Sequence, residues 1–150
     1  MYKRQEVTNT NHWVKVRISE SMLFKSKSIT KLNDSGFYVL GKLADVFNRY
    51  PSMMIDVIGH TANKTPDKTY KTNWNVSVLR TAAIVQTLQD EYDINPGQVT
   101  AAGKGEFSPI NSNESSEGRA ANRRVEFILS PGNVDLIKSL KALVDKANKK

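Results

Sequence analysis

The chain has 150 residues, enough for one compact domain, and its hydrophobic and charged fractions of 39% and 25% are ordinary for a globular protein. It contains no cysteine, which excludes disulfides, thiolate nucleophiles and cysteine-ligated metal sites. The net charge of +7 favours anionic partners. The basic residues do not alternate with aromatic ones as in a single-strand groove, so we expect no nucleic-acid binding.

The first third of the chain predicts a strand, a helix and a second strand, after a flexible segment over residues 1–12. Apolar and polar residues alternate from Trp13 to Ser19, which is typical of a strand. A short extended piece is expected at 22–24, and a helix over about 36–49, capped by Asp34 or Ser35. Its buried stripe consists of Phe37, Leu40, Leu43, Ala44 and Phe47. Residues 53–60 are mostly apolar, which favours a central strand.

After a polar loop over 61–72, a second helix is predicted from Asn73 to about Tyr92. Its expected core face consists of Val76, Leu79, Ala83, Ile84 and Leu88. Strands follow at 99–102 and 124–129, with a polar loop at 107–121 between them. An amphipathic helix over 134–147 ends the chain. This order predicts an α/β fold, a single domain over 13–130 with a mixed sheet, helices packed on it and a C-terminal helical segment over 131–150.

We find no pattern that favours catalysis. His12 and His60 lack the spacing of metal ligands, no serine lies in a nucleophile elbow, and no glycine-rich phosphate loop is present. Residues 1–12 lack the apolar stretch of a signal peptide, and no window reaches the length of a membrane helix. We expect a binding protein without metal or cofactor, whose export or membrane attachment would depend on a region absent from this chain.

Polar residues surround the end of the second strand and the start of the second helix. Thr61 follows the strand, Asn73 opens the helix, and Arg80 lies beside the expected core residue Leu79. Free backbone N–H groups at a helix start, with an arginine fork nearby, can form a carboxylate receptor. The alternative is that Arg80 is a solvated surface residue.

Four sequence blocks occur in the order of a known family. They are Ile58-Gly59-His60-Thr61, the helix opening 73–82, Gly103-Lys104-Gly105 followed by Pro109, and the segment 113–126, which contains Gly118-Arg119-Ala120 and Asn122-Arg123-Arg124-Val125-Glu126. Over about 13–130 the chain therefore resembles the OmpA/MotB C-terminal domain. The Asn73-Trp74 opening is similar to the MotB-like branch and to OmpA-family proteins of Bacteroidetes-type bacteria.

The resemblance implies an α/β sandwich with a mixed four-stranded sheet that binds diaminopimelate in the peptide stem of peptidoglycan. Such a module anchors an envelope protein in the periplasm, at the outer membrane or cell wall of a Gram-negative bacterium. By position, Arg80 would be the carboxylate clamp, and Thr61 and Asn73 polar pocket residues. Arg124 would line or support the groove, or else be a strand-end arginine that satisfies loop carbonyls.

Ala62 departs from the family pattern, which has an aspartate after His-Thr to meet the ligand's ammonium. Three explanations stay open: an engineered replacement, drift to a scaffolding role, or substitution by a neighbouring acid such as Asp67. The leading hypothesis is therefore peptidoglycan binding, weakened at position 62. The alternative is a structural or protein-interaction module that has lost wall binding and contacts other envelope proteins, with helix 134–147 as its docking surface or packed within the domain.

Overall fold

The computed structural model describes residues 5–9, 13–63, 70, 72–130 and 134–149, with side chains described from residue 13 onward except at 134–139. Its centre is a five-stranded sheet in the order β1-β2-β5-β3-β4. The strands are β1 Gln5–Asn9, β2 Val14–Ser19, β3 Met54–His60, β4 Val99–Gly103 and β5 Arg124–Ser130. β3 and β4 are parallel and the other pairs antiparallel. The predicted mixed sheet is confirmed, with one strand more than the expected four.

The additional strand β1 comes from the segment that we expected to be flexible. It pairs with β2 along its whole length, with Val7 opposite Val16. A backbone ladder on an open sheet edge does not require an apolar pattern in the added strand. The polar composition of residues 1–12 therefore concealed this strand.

Five helices connect and flank the strands: α1 Glu20–Leu23, α2 Asp34–Arg49, α3 Asn73–Tyr92, α4 Ser116–Asn122 and α5 Val134–Asn148. Residues 22 and 23, which we expected to be extended, belong to α1. Asp34, which we expected as a cap of α2, is the first residue of that helix. Asn33 caps α2 instead, because its Oδ1 accepts a hydrogen bond from the Gly36 N–H at 2.7 Å. The Asn33 Nδ2 donates to the carbonyls of Ser21 and Phe24, so the same side chain joins α1 to α2. Among the described helices, none is long and apolar enough to cross a membrane.

The hydrophobic core lies between one face of the sheet and the helices. Alternate residues of β2, β3 and β5 point into it, as the period of two along a strand requires. The core side chains of these strands are Val14, Val16, Ile18, Ile55, Val57, Val125, Phe127 and Leu129. The helices contribute Leu40, Ala44, Phe47, Ile84, Leu88 and Leu140, so α5 packs within the domain.

The predicted core face of α3 is confirmed at Val76, Ile84 and Leu88, but it is wrong at Leu79. Leu79, expected in the core, is 40% exposed, whereas Ser77 and Thr81 are fully buried. The reason lies in the paired glycines Gly59 and Gly103 of β3 and β4. A Cβ at Gly59 would lie 2.5 Å from the Ser77 carbonyl oxygen, and one at Gly103 would meet Ser77 Oγ. The α3 backbone approaches the sheet too closely for a leucine, so small side chains face it. Phe37, expected in the α2 stripe, is also largely exposed.

We predict that Gly59→Ala lowers the free energy of unfolding by about 1–3 kcal/mol, the usual cost of overpacking. The added methyl would meet helix backbone, which cannot move without displacing α3. Urea denaturation of the purified chain measures the change. Gly97→Ala is the matched control, because its added methyl meets only the Asn95 side chain at 3.4 Å. Equal stability of the two variants would contradict the close contact between α3 and β3.

Candidate functional site

Arg80 of α3 forms an ion pair with Glu20 at the start of α1. Its Nη2 donates to Glu20 Oε1 at 2.8 Å, and the guanidinium carbon lies 5.4 Å from the centre of the Phe24 ring. The Arg80 side chain is only 12% exposed, and that of Glu20 24%. Burial lowers the pKa of the guanidinium, and the charge and hydrogen bond of Glu20 oppose that shift. Arg80 is therefore a sheltered cation, and the prediction of a solvated surface residue is wrong.

A cavity of about 580 Å³ opens beside this pair. Its wall includes Glu20 and Phe24, the two residues that contact Arg80, and also Lys25, Lys27 and Arg123. Arg123 Nε lies 3.8 Å from Glu20 Oε2. The wall thus carries three cations and one carboxylate, with Arg80 adjacent, so the cavity favours anionic groups.

Thr61, Ala62 and Asn73 come together at the end of β3. The Thr61 N–H donates to the Gly105 carbonyl at 2.9 Å, and Asn73 Nδ2 lies 3.3 Å from the Ala62 carbonyl oxygen. All three residues are buried, and Ala62 is 3% exposed. Within the described ranges, Thr61 Oγ1 and Asn73 Oδ1 have no hydrogen-bond partner. The loop after Asn63, which includes the candidate acid Asp67, lies outside the described residues.

Arg124 is on the opposite face of the sheet from the core, because it alternates with the core residue Val125. Its guanidinium is used within the protein: Nε donates to Glu126 Oε2 at 3.1 Å, and Nη1 and Nη2 donate to the carbonyls of Asn122 and Ser108. Glu126 also contacts Arg17 and His60, each at 3.1 Å. A second cavity of about 350 Å³ adjoins this cluster. Arg124 therefore bonds to the last carbonyl of α4 and to one loop carbonyl, and it also lines the second cavity.

The predicted site residues thus fall into three places. Thr61, Ala62 and Asn73 are adjacent, Arg80 contacts Glu20, and Arg124 belongs to the other face of the sheet. Among the described residues, no hydrogen bond joins Arg80 to Thr61; Arg80 bonds to Glu20 instead. Sequence reasoning missed Glu20, because it lies 60 positions before Arg80 and outside all four sequence blocks. Sequence reasoning also missed Arg123, which lines the cavity. Its place beside Arg124 in the fourth sequence block was the signal that could have identified it.

Among the residues that the structure describes, no group of three or more His, Cys, Asp or Glu side chains could hold a metal ion. His60 instead contacts the Glu126 carboxylate at 3.1 Å. The chemistry that the Arg80 region offers is recognition of charged groups: a guanidinium and a carboxylate, both sheltered from water, beside a basic cavity.

Comparison with known proteins gives one family and a consistent set of relatives. The sequence profile of the OmpA family matches residues 23–123. Outer membrane porin F of Pseudomonas aeruginosa is 37% identical over 97 residues, which cover 65% of this chain and 27% of that protein. Across this and three further relatives, the chain spans between 27% and 55% of the relative's length.

Solved structures show the same fold. A putative MotB-like protein from Desulfovibrio vulgaris superposes with a TM-score of 0.78 and 32% identity, covering 85% of this chain and 81% of that one. A cell wall anchor of Pseudomonas aeruginosa superposes with a TM-score of 0.76 and 29% identity, covering 85% of this chain and 88% of that one. The match to a MotB-like structure agrees with the resemblance drawn from the Asn73-Trp74 opening.

We predict that Glu126→Gln lowers the free energy of unfolding by about 3 kcal/mol at pH 7, because buried Arg124 loses its counter-ion. Burial raises the pKa of Glu126, but its contacts with His60 and Arg124 outweigh burial and hold that pKa well below the ordinary range. A depressed folded-state pKa stabilises the protein above the unfolded-state pKa of about 4.3, and this contribution is lost as the pH falls below it. The difference in free energy of unfolding between wild type and variant should therefore be constant above about pH 5 and become smaller towards pH 3.

Urea denaturation at a series of pH values measures this gap. Glu114→Gln, which changes an exposed carboxylate, serves as the control. A gap of the same size at pH 7 and pH 3 would mean that the charge of Glu126 does not stabilise the fold.

Proposed function

Because this chain is a member of the OmpA family, we propose that it binds peptidoglycan non-covalently, through diaminopimelate in the peptide stem. Bound in this way, it would anchor an envelope protein to the cell wall. The observation that carries this proposal is the sheltered guanidinium of Arg80 beside a basic cavity, at the arginine position of the second family block. The binding is a recognition function and requires no catalytic step, metal or cofactor.

Arg80 is suited to hold a carboxylate of the ligand. Its position on a long helix is rigid, and its Nε has no hydrogen-bond partner among the residues described. A charge-assisted hydrogen bond in a sheltered site contributes about 1.5–3 kcal/mol. Lys25, Lys27 and Arg123 around the cavity would attract the acidic stem peptide before it docks.

Thr61 and Asn73 would supply polar contacts to the same ligand. Each has a buried side-chain oxygen that finds no partner in the part of the chain described, and such atoms gain from a ligand group that bonds to them. Ala62 lies between them without a charge, where the family pattern has an acid. Arg124 would support the groove indirectly, because it holds the carbonyls of Ser108 and Asn122 from the other face of the sheet.

The proposed location is the periplasm of a Gram-negative bacterium, at the outer membrane or the wall. The relatives support it, since one is an outer membrane porin and another a cell wall anchor. Peptidoglycan would be the principal partner, and other envelope proteins would be further partners. The basic surface would serve the wall rather than nucleic acid.

Ala62 favours a second candidate function, a structural or protein-interaction module that keeps the fold without wall binding. In that case purified sacculi would not retain the protein, while an envelope protein would be captured by it. Of the two roles considered for helix α5, packing within the domain is favoured over docking, because Leu140 packs in the core.

We predict that Arg80→Ala reduces binding to sacculi by about ten- to a hundredfold, the loss of one charge-assisted hydrogen bond. Co-sedimentation of the purified chain with sacculi over a range of protein concentrations measures the dissociation constant. Arg49→Ala is the matched control, since Arg49 is an exposed arginine in the last turn of α2. Urea denaturation of each variant verifies folding. Unchanged binding of a folded Arg80→Ala variant would rule out Arg80 as the clamp.

We also predict that Ala62→Asp strengthens binding to sacculi by about tenfold or more. The new carboxylate would meet the ligand's ammonium where the family pattern has an acid. Ala62→Asn, which adds similar volume without charge, is the control and should gain little. A folded Ala62→Asp variant that binds no better than wild type would show that position 62 does not face the ligand.

A further inference from the structure

The ion pair between Arg80 and Glu20 is incomplete on both sides. In the part of the chain that the structure describes, Arg80 Nε lacks an acceptor and Glu20 Oε2 lacks a donor, although both atoms are buried. Arg123 Nε, at 3.8 Å from Oε2, is too distant for a hydrogen bond. Leaving buried charged atoms without hydrogen bonds costs free energy, which a ligand recovers if it supplies those bonds.

The two missing partners have opposite character. Arg80 Nε needs an acceptor such as a carboxylate, and Glu20 Oε2 needs a donor such as an ammonium. A single amino-acid end group, with its ammonium and carboxylate on one carbon, carries both. The ion pair is thus complementary to a zwitterion rather than to a simple anion.

We propose that Glu20 is the ammonium-binding acid of this site, in place of the aspartate that Ala62 replaces. The ligand's carboxylate binds Arg80, and its ammonium binds the Glu20 carboxylate at the wall of the 580 Å³ cavity. This inference rests on the proposed function and names the residue that selects the zwitterionic end of diaminopimelate.

The charges around the cavity make Glu20 decisive for this selection. Lys25, Lys27, Arg123 and Arg80 are cations, and each repels an ammonium group. Glu20 is the carboxylate on the same wall. Without its charge the cavity would favour plain dicarboxylates over ligands that also carry an amine.

The test compares meso-diaminopimelate with pimelate, two dicarboxylates that differ only in the amino groups. Calorimetric titration of the folded chain measures both affinities in wild type and in Glu20→Gln. We expect Glu20→Gln to weaken diaminopimelate binding about tenfold or more, the loss of one charged hydrogen bond. Pimelate binding should stay equal or strengthen, because the Glu20 carboxylate no longer competes with the ligand carboxylate for Arg80.

Controls separate the role of Glu20 from general destabilisation. Glu91→Gln, which changes an exposed carboxylate on α3, should leave both affinities unchanged. Urea denaturation establishes that each variant is folded.

The outcomes distinguish this inference from the function on which it rests. If wild type binds diaminopimelate through Arg80 and Glu20→Gln binds it equally well, the role of Glu20 is refuted and the function stands. If Glu20→Gln strengthens the binding of both ligands equally, Glu20 only competes with the ligand carboxylate for Arg80, and the inference is overturned. If wild type binds neither diaminopimelate nor sacculi, the proposed function itself fails.

Discussion

The close contact between α3 and the paired glycines of β3 and β4 determines the geometry of the whole domain. Because Gly59 and Gly103 have no side chains, the helix backbone lies directly on the sheet, with Ser77 and Thr81 in the interface. The Gly105 N–H donates to Ser77 Oγ at 3.1 Å, and Thr81 Oγ1 lies 3.0 Å from the Ala102 carbonyl oxygen. These contacts fix both the distance and the rotation of α3. The rotation in turn brings Asn73 to Ala62 and Arg80 to Glu20.

The two arginines predicted from the family blocks occupy contrasting environments. Both are largely shielded from solvent, both have a pKa lowered by burial, and both contact a glutamate. Arg124 bonds to Glu126, to the last carbonyl of α4 and to the Ser108 carbonyl, so all three of its nitrogens have protein partners. Arg80 leaves its Nε without one among the described residues and lies next to a cavity. An arginine with a free nitrogen is suited to recognition, whereas a fully bonded arginine stabilises a loop.

Much of the fold could be predicted because it follows from local patterns. The alternation in β2, the apolar run of β3 and the stripes on α2 and α5 are signals within short windows. The order of these elements, with four family blocks, was enough to identify the architecture. The strand β1 escaped prediction because residues 5–9 are mostly polar, although their backbone pairs with β2.

The candidate site was only partly predictable, because its contacts join distant parts of the chain. Arg80 was found from its block, but its partner Glu20 comes from a four-residue helix that no periodicity reveals. Leu79 was assigned to the core because a leucine at helical spacing usually packs there. Close approach to the glycines reversed that preference, and this approach depends on a strand pair that only the folded sheet brings together.

The interior position of β3, between β5 and β4, has a mechanical consequence. Residues 61 and 62 continue directly from β3, which is hydrogen-bonded to β5 on one side and to β4 on the other. A pull on these residues along the strand direction would load both ladders in shear, so that many hydrogen bonds must break together. An edge strand such as β1 has a ladder on one side only, so fewer hydrogen bonds resist the same pull. A site at the end of this interior strand therefore transmits tension into two hydrogen-bonded ladders at once.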